Sequence, residues 1–157
     1  MAASFDPDTF GFLISDLARL FRGEMDRRTA EDIGLTAGES RALAHAARAG
    51  AVRQNVLAER MGLEPMTVSS YLDRLEARGY IERHADPTDR RAKIVRLTPA
   101  ASPVLDRIRA VSAGVRTDAS QGMTAAEWEL FIALLKQARA NLTPGRTDAP
   151  RGGEASL

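Results

Sequence analysis

The stretch RMGLEPMTVSS, Arg60 to Ser70, constrains the fold more than any other part of the 157-residue chain. Gly62 stands where a helix C-terminus calls for a residue of positive φ, and Pro65 suits the first turn of a following helix. Only Leu63 and Glu64 separate them. The segment before, QNVLAERM, turns Val56, Leu57 and Met61 to one side. The segment after, PMTVSSYLDRLEAR, keeps Val68, Leu72 and Leu75 on one side at four- and three-residue spacing and ends at Gly79. Two helices joined by so tight a turn predict a helix-turn-helix. The outward side of its second helix carries Met66, Thr67, Ser70, Tyr71 and Arg74. These hydroxyls, a phenol and a guanidinium can read base edges and hold phosphates in a major groove, although they would equally suit a solvated face.

The residues beyond Gly79 decide between those two readings. There the period changes: YIER and KIVRL are β-branched and alternating, and HADPTDRRA between them holds the turn formers Asp86, Pro87 and Asp89. This predicts a β-hairpin with a long loop. Arg90, Arg91, Lys93 and Arg96 crowd that hairpin and repel one another unless an anion is shared between them. A hairpin is thin enough to enter a minor groove, whose negative potential attracts arginine, and Asp89 can orient a neighbouring guanidinium. A helix for one groove and a hairpin for the next make a winged helix, and the shared anion is DNA.

The charge distribution agrees. Met1 to Asp32 holds four basic and seven acidic residues, whereas Ile33 to Ala100 holds eleven basic and eight acidic, so the basic excess lies in the segment expected to meet a polyanion.

Around the winged helix lie longer amphipathic segments. Phe10, Leu13, Ile14, Leu17, Leu20 and Phe21 repeat at helical spacing from near Asp8. Thr36 and Glu39 form a capping-box pattern opening a helix that runs to about Arg48, with Leu43, Ala46 and Ala47 on its apolar face. Thr98 and Pro99 suit an N-cap and first helical position for a helix marked by Val104, Ile108, Val111 and Val115. A second capping box, Thr124 with Glu127, opens a last helix bearing Trp128, Phe131, Leu135, Ala138 and Leu142. The first and last two helices have apolar stripes longer than a small winged helix can cover, which predicts helix packing between two copies of the chain. The organisation expected is therefore an N-terminal dimerisation helix over residues 5–32, a winged helix-turn-helix over 33–98, C-terminal dimerisation helices over 99–142 and a disordered tail from 143 to 157. The fold class is mainly α with a small β-hairpin wing.

Other chemistry finds little support. Cysteine is absent, so there is no disulfide, thiolate nucleophile or thiol switch, which fits a reducing cytoplasm. The N-terminus carries Asp6 and Asp8 without a basic region, and Asp16 stops the apolar run Phe10 to Ile14, so neither a signal peptide nor a membrane span is expected. His45 and His84 stand apart from any nucleophile motif, and no phosphate-binding glycine loop occurs. No enzyme activity, cofactor or metal is expected. The rival reading is a winged helix that binds protein alone, against which Arg74, Arg90 and Arg91 argue, because protein interfaces lose charge from their cores.

From LTAGESRALAHAARAG through VLAERMGLEPMTVSSYLDRLEARGYIERHADPTDRRAKIVRLT, the chain resembles the MarR family of bacterial winged-helix transcriptional regulators. The patterns that carry the likeness are LAERMG, TVSSYLDRLEARG and DRR…LT, with the signature Asp-x-Arg at Asp89 and Arg91. The resemblance implies a homodimer that binds palindromic operator DNA, usually as a repressor, and is modulated by a small phenolic or aromatic effector between the dimer helices and the winged helix. It implies that Gln54 and Asn55 touch phosphates; that Pro65, Met66, Thr67, Ser69, Ser70, Tyr71 and Arg74 lie on the major groove; and that Asp89, Arg90, Arg91 and Lys93 form the wing contact. Arg53 departs from the pattern by replacing a usual threonine, losing a capping hydroxyl; Ser70 stands where arginine is frequent, and Ala100 or Ala101 where glycine often follows LT.

Overall fold

A computed structural model describes Asp6 and residues 8–143; the tail expected beyond residue 143 and the start of the first dimerisation segment lie outside the described residues. The elements run α1 (Phe10–Ile33), α2 (Ala37–Ala49), β1 (Val52–Arg53), α3 (Gln54–Met61), α4 (Pro65–Ala77), β2 (Ile81–Ala85), β3 (Lys93–Leu97), α5 (Ala101–Ala119) and α6 (Ala125–Leu142). They divide into two compact units, the first ending at Arg116 and the second starting at Thr117.

In the first unit, α2, α3 and α4 pack around Leu43, Leu57, Val68, Leu72 and Leu75, all fully buried. Burying each such aliphatic side chain stabilises the fold by about 1.5–3 kcal/mol before entropy is counted. The turn between α3 and α4 forms as the glycine requires: Gly62 has φ 64°, its N–H donates to the Glu59 carbonyl, and the Leu63 N–H reaches back to Ala58. These bonds satisfy the last carbonyls of α3 and redirect the chain in two residues. The capping box of α2 is complete, Thr36 accepting from the Glu39 N–H and Glu39 from the Thr36 N–H.

The sheet has three antiparallel strands in the order β1-β3-β2. In the hairpin, Ile81 pairs with Leu97, Arg83 with Val95 and Ala85 with Lys93, while β1 adds Val52 against Val95. Val52, Ile81 and Val95 are the buried residues of these strands. Arg83 fastens β2 to α4: its guanidinium donates to Glu76 at 2.6 Å and Asp73 at 2.7 Å. That bond to Arg83 holds the Glu76 carboxyl below its ordinary range.

One expectation for a helix start is corrected. Thr98 is not the N-cap of α5. Its hydroxyl donates to the Gly79 carbonyl and its N–H to Tyr80, closing the hairpin base, and the helix begins at Ala101 after a turn. A hydroxyl beside a carbonyl bonds that carbonyl instead of capping, and spacing alone could not show which. Much of the stripe Val104–Val115 is covered within the chain. Leu105, Ile108, Val111 and Val115 are buried, and Val104 is half-buried.

Helix α1 behaves oppositely. Its C-terminal half supplies Met25 and Ile33 to the core and buries Thr29. Its first half leaves Phe10, Phe12, Leu13, Ile14, Leu17, Leu20 and Phe21 between 37% and 62% exposed.

In the second unit, α6 opens with the expected capping box, Thr124 with Glu127. Trp128 and Phe131 pack with ring centroids 5.6 Å apart. No residue of α6 is buried, and Leu130, Leu134 and Leu142 are exposed.

Candidate nucleic-acid interface

The side chains expected on DNA come from three elements and a loop. Gln54 and Asn55 stand in the first turn of α3, whose N-cap, Arg53, makes no side-chain cap. The leading N–H groups of that helix are thus left to a ligand or to water. Pro65 opens α4, and Asp89, Arg91 and Lys93 belong to the wing. With Ala92 these residues line one open cleft of about 280 Å³. Residues nearly forty positions apart in sequence therefore meet around a single cationic opening.

The remaining candidates line the face of α4 or the wing tip rather than the cleft. Met66 is 82% exposed; Thr67, Arg74 and Arg90 are also exposed, and Ser69 and Ser70 are half-buried. Tyr71 is only partly available, because its ring lies over Gly38 of α2. A methyl group on Gly38 would stand 2.2 Å from the Tyr71 Cζ, so glycine is what lets the ring approach. Arg74 reaches back toward α2 as well: its Nη1 lies 3.6 Å from Oε1 of the buried Glu39, the carboxylate that also completes the α2 capping box.

Asp89 does not hold a neighbouring guanidinium, as the sequence suggested. Its Oδ1 accepts the backbone N–H of Arg91 at 3.0 Å, shaping the loop and leaving the guanidinium free to point outward. A short aspartate two residues before an amide favours this local turn over a longer reach to a side chain.

Sequence reasoning missed the wing's attachment. Arg53, read as a lost cap, donates from Nε to Asp86 Oδ2 at 2.6 Å and from Nη2 to Thr88 Oγ1 at 3.0 Å. The buried Asp86 also accepts the Thr88 N–H and hydroxyl, both at 2.7 Å. The Thr88 bonds first, and then Arg53, hold its carboxyl down to about 2. The signal available was a single arginine replacing a hydroxyl, opposite an aspartate more than thirty residues away; only the strand pairing brings them together. Gly38, and the reach of Glu39 toward Arg74, were missed for a similar reason, since both act on α4 from another helix.

Among the described residues no group of three or more His, Cys, Asp and Glu is placed to hold a metal ion, and no helix is long and apolar enough to cross a membrane.

A helix-turn-helix followed by a wing, with both presenting side chains around one cationic cleft, defines a winged-helix transcription regulator. Residues 33–92 match the model of the MarR family. The transcriptional regulator PA3341 is 37% identical over 85% of this chain and 98% of its own, with a TM-score of 0.72. A MarR-family transcriptional regulator from Silicibacter pomeroyi is 27% identical over 87% of this chain and 92% of its own, also at 0.72. MarR from E. coli shares the fold at a TM-score of 0.75, covering 85% of this chain and 98% of its own, with 20% identity. The chain belongs to the MarR family.

Proposed function

We propose that the protein is a homodimeric, sequence-specific DNA-binding repressor whose hold on its operator is modulated by a small anionic effector. The observation that carries this reading is the cleft shared by Gln54, Asn55, Pro65, Asp89, Arg91 and Lys93. It joins open helix N–H groups, amide side chains and two cations around a space fit for a backbone phosphate. Met66, Thr67, Ser69, Ser70, Tyr71 and Arg74 lie in the major groove, with Arg90 and Arg91 in the flanking minor groove.

Residues 5–32 and 99–142 serve dimerisation, with the winged helix between them. The exposed apolar residues of α1, and separately those of α6, support this division, since apolar side chains left uncovered along a helix call for a partner. A cleft of about 380 Å³ between α1 and α5, lined by Arg28, Asp32, Arg107, Ala110, Val111 and Gly114, suits an aromatic or phenolic acid, whose carboxylate would meet the two guanidinium groups.

The test is binding of a random-sequence duplex at low salt, followed through a salt titration. A phosphate-gripping interface gives an affinity that falls steeply and linearly on logarithmic axes, with a slope near −0.9 per phosphate neutralised. A winged helix that binds only protein leaves the duplex free at all salt concentrations, which would overturn the reading.

A further inference from the structure

We propose that Arg53 and Asp86 are positioning residues for the wing, an ion pair that fixes where Arg91 and Lys93 stand relative to the first turn of α3 and so sets the protein's preference for a narrow minor groove. The inference rests on the DNA-binding reading and names what regulates its geometry.

Strand pairing between β2 and β3 ends at Ala85 and Lys93. Beyond that pair the loop is closed by its own bonds. The Asp86 N–H donates to Ala92, the Ala92 N–H to Asp89, and the Arg91 N–H to the Asp89 carboxylate. Such bonds determine the loop's shape but not its direction, because every partner moves with the loop.

Among the described residues, the hydrogen bonds and ion pairs that leave residues 86–92 for another element run to Arg53: Nε to Asp86 and Nη2 to Thr88. Asp86 is 4% exposed, so its charge is shielded from water and its partner matters more than at an open surface.

The far end of this tether is what makes it functional. Arg53 pairs in β1 with Ile94 and is followed directly by Gln54, the first residue of α3. The cationic cleft takes Gln54 and Asn55 from α3 and Asp89, Arg91 and Lys93 from the wing, so the Arg53 guanidinium ties the residue that leads into α3 to the start of the loop that carries the wing side chains. Its planar fork reaches two acceptors on different residues at once, which a lysine ammonium on its flexible stem does not fix in direction. Threonine at position 53 would return a capping hydroxyl to α3 and lose the tether.

Two full-length variants separate positioning from charge. Arg53→Thr removes a positive charge near the DNA, and Asp86→Asn removes a negative one while keeping an oxygen for Thr88. By charge alone the first weakens binding to every duplex and the second strengthens it. Positioning predicts that both do the same thing to selectivity.

The measurement is fluorescence anisotropy at one salt concentration with two duplexes of equal length, one built on A-tracts and one rich in G·C pairs; circular dichroism confirms native helix content. The wild type favours the A-tract duplex, because its narrow minor groove attracts arginine. In both variants the ratio of the two affinities falls to about one fifth of the wild-type value, the scale expected from losing one groove contact. Arg53→Lys retains the charge and still loses most of that ratio.

Unchanged ratios in both variants, or ratios that move in opposite directions with the charge, would overturn the proposal, as would a wild type without A-tract preference. A wild type that binds neither duplex refutes the underlying DNA-binding reading instead, so the two failures are distinguishable.

Discussion

The guanidinium of Arg91 makes no hydrogen bond or ion pair among the described residues, although the backbone beneath it is pinned by Asp89. A side chain that spends nothing on folding is available for a ligand, and its loss leaves no buried group unsatisfied. Arg91→Ala should therefore weaken DNA binding by about 1–3 kcal/mol while the melting temperature stays within a degree or two of wild type. An unaltered affinity at near-physiological salt would remove the wing from the interface. His45 makes the opposite kind of prediction, because its effect is on stability. Burial first, and then the neighbouring charges of Arg48, Arg41 and Arg60, lower its pKa from 6.5. Between that ordinary value and the lowered one, the unfolded chain accepts a proton that the folded chain refuses. The stability His45 permits is thus fully present above pH 6.5 and is lost as the pH falls through the lowered value. Melting temperatures at pH 7 and pH 5 should differ more for the wild type than for His45→Gln; equal differences would mean that His45 titrates alike in both states.

At the scale of elements, the contact between α2 and α4 is set by Gly38 lying under the Tyr71 ring. Alanine there gains about 1 kcal/mol of helix propensity but drives a methyl into the ring, and overpacking of this kind costs about 1–3 kcal/mol. Gly38→Ala should displace Tyr71 on the face of α4 proposed to meet DNA and lower affinity. The same substitution in a Tyr71→Ala background should have little further effect. Additive losses across this double-mutant cycle, read by DNA affinity, would show that the ring is not the coupling element. Neither residue announces this pairing in the sequence. The helices themselves are legible there, since α3, α4 and both capping boxes arise from local spacing: Val68, Leu72 and Leu75 are fully buried as their periodicity implies, and Thr36 and Thr124 both cap. β1 escapes such a reading because two residues cannot show an alternation, and it exists only by pairing Val52 and Arg53 with β3. Thr98 misleads because its hydroxyl has a competing acceptor in Gly79, contributed by a residue nineteen positions earlier. The Arg53 tether is hidden for the same reason. What local periodicity dictates can be read in advance, whereas side chains that join elements across the fold depend on strand register.

For the molecule as a whole, the proposed dimer carries a geometric consequence. A two-fold assembly holds two copies of α4, and both enter major grooves on one face of B-DNA only when they are about 34 Å apart, one helical turn. The operator should then be an inverted repeat with half-site centres about 10 base pairs apart. Each protomer would also place its wing arginines in the minor groove outside its half-site, so A·T-rich flanks bind more tightly without being contacted base by base. The effector proposed for the α1–α5 cleft would act by favouring one spacing over another, shifting the balance only by its difference in affinity for the two. Inserting about five base pairs between the half-sites turns one of them to the opposite face of the duplex, where a rigid dimer cannot reach it. Binding to that DNA should fall to the non-specific level, a loss of about a thousandfold or more at physiological salt, measured by anisotropy with the stoichiometry fixed by sedimentation. An isolated monomer that reads one half-site would lose nothing, since its contacts are all on one side of the insertion. Tight binding retained at one dimer per duplex would instead require a flexible connection between the two winged helices, and the rigid two-fold arrangement would have to be abandoned.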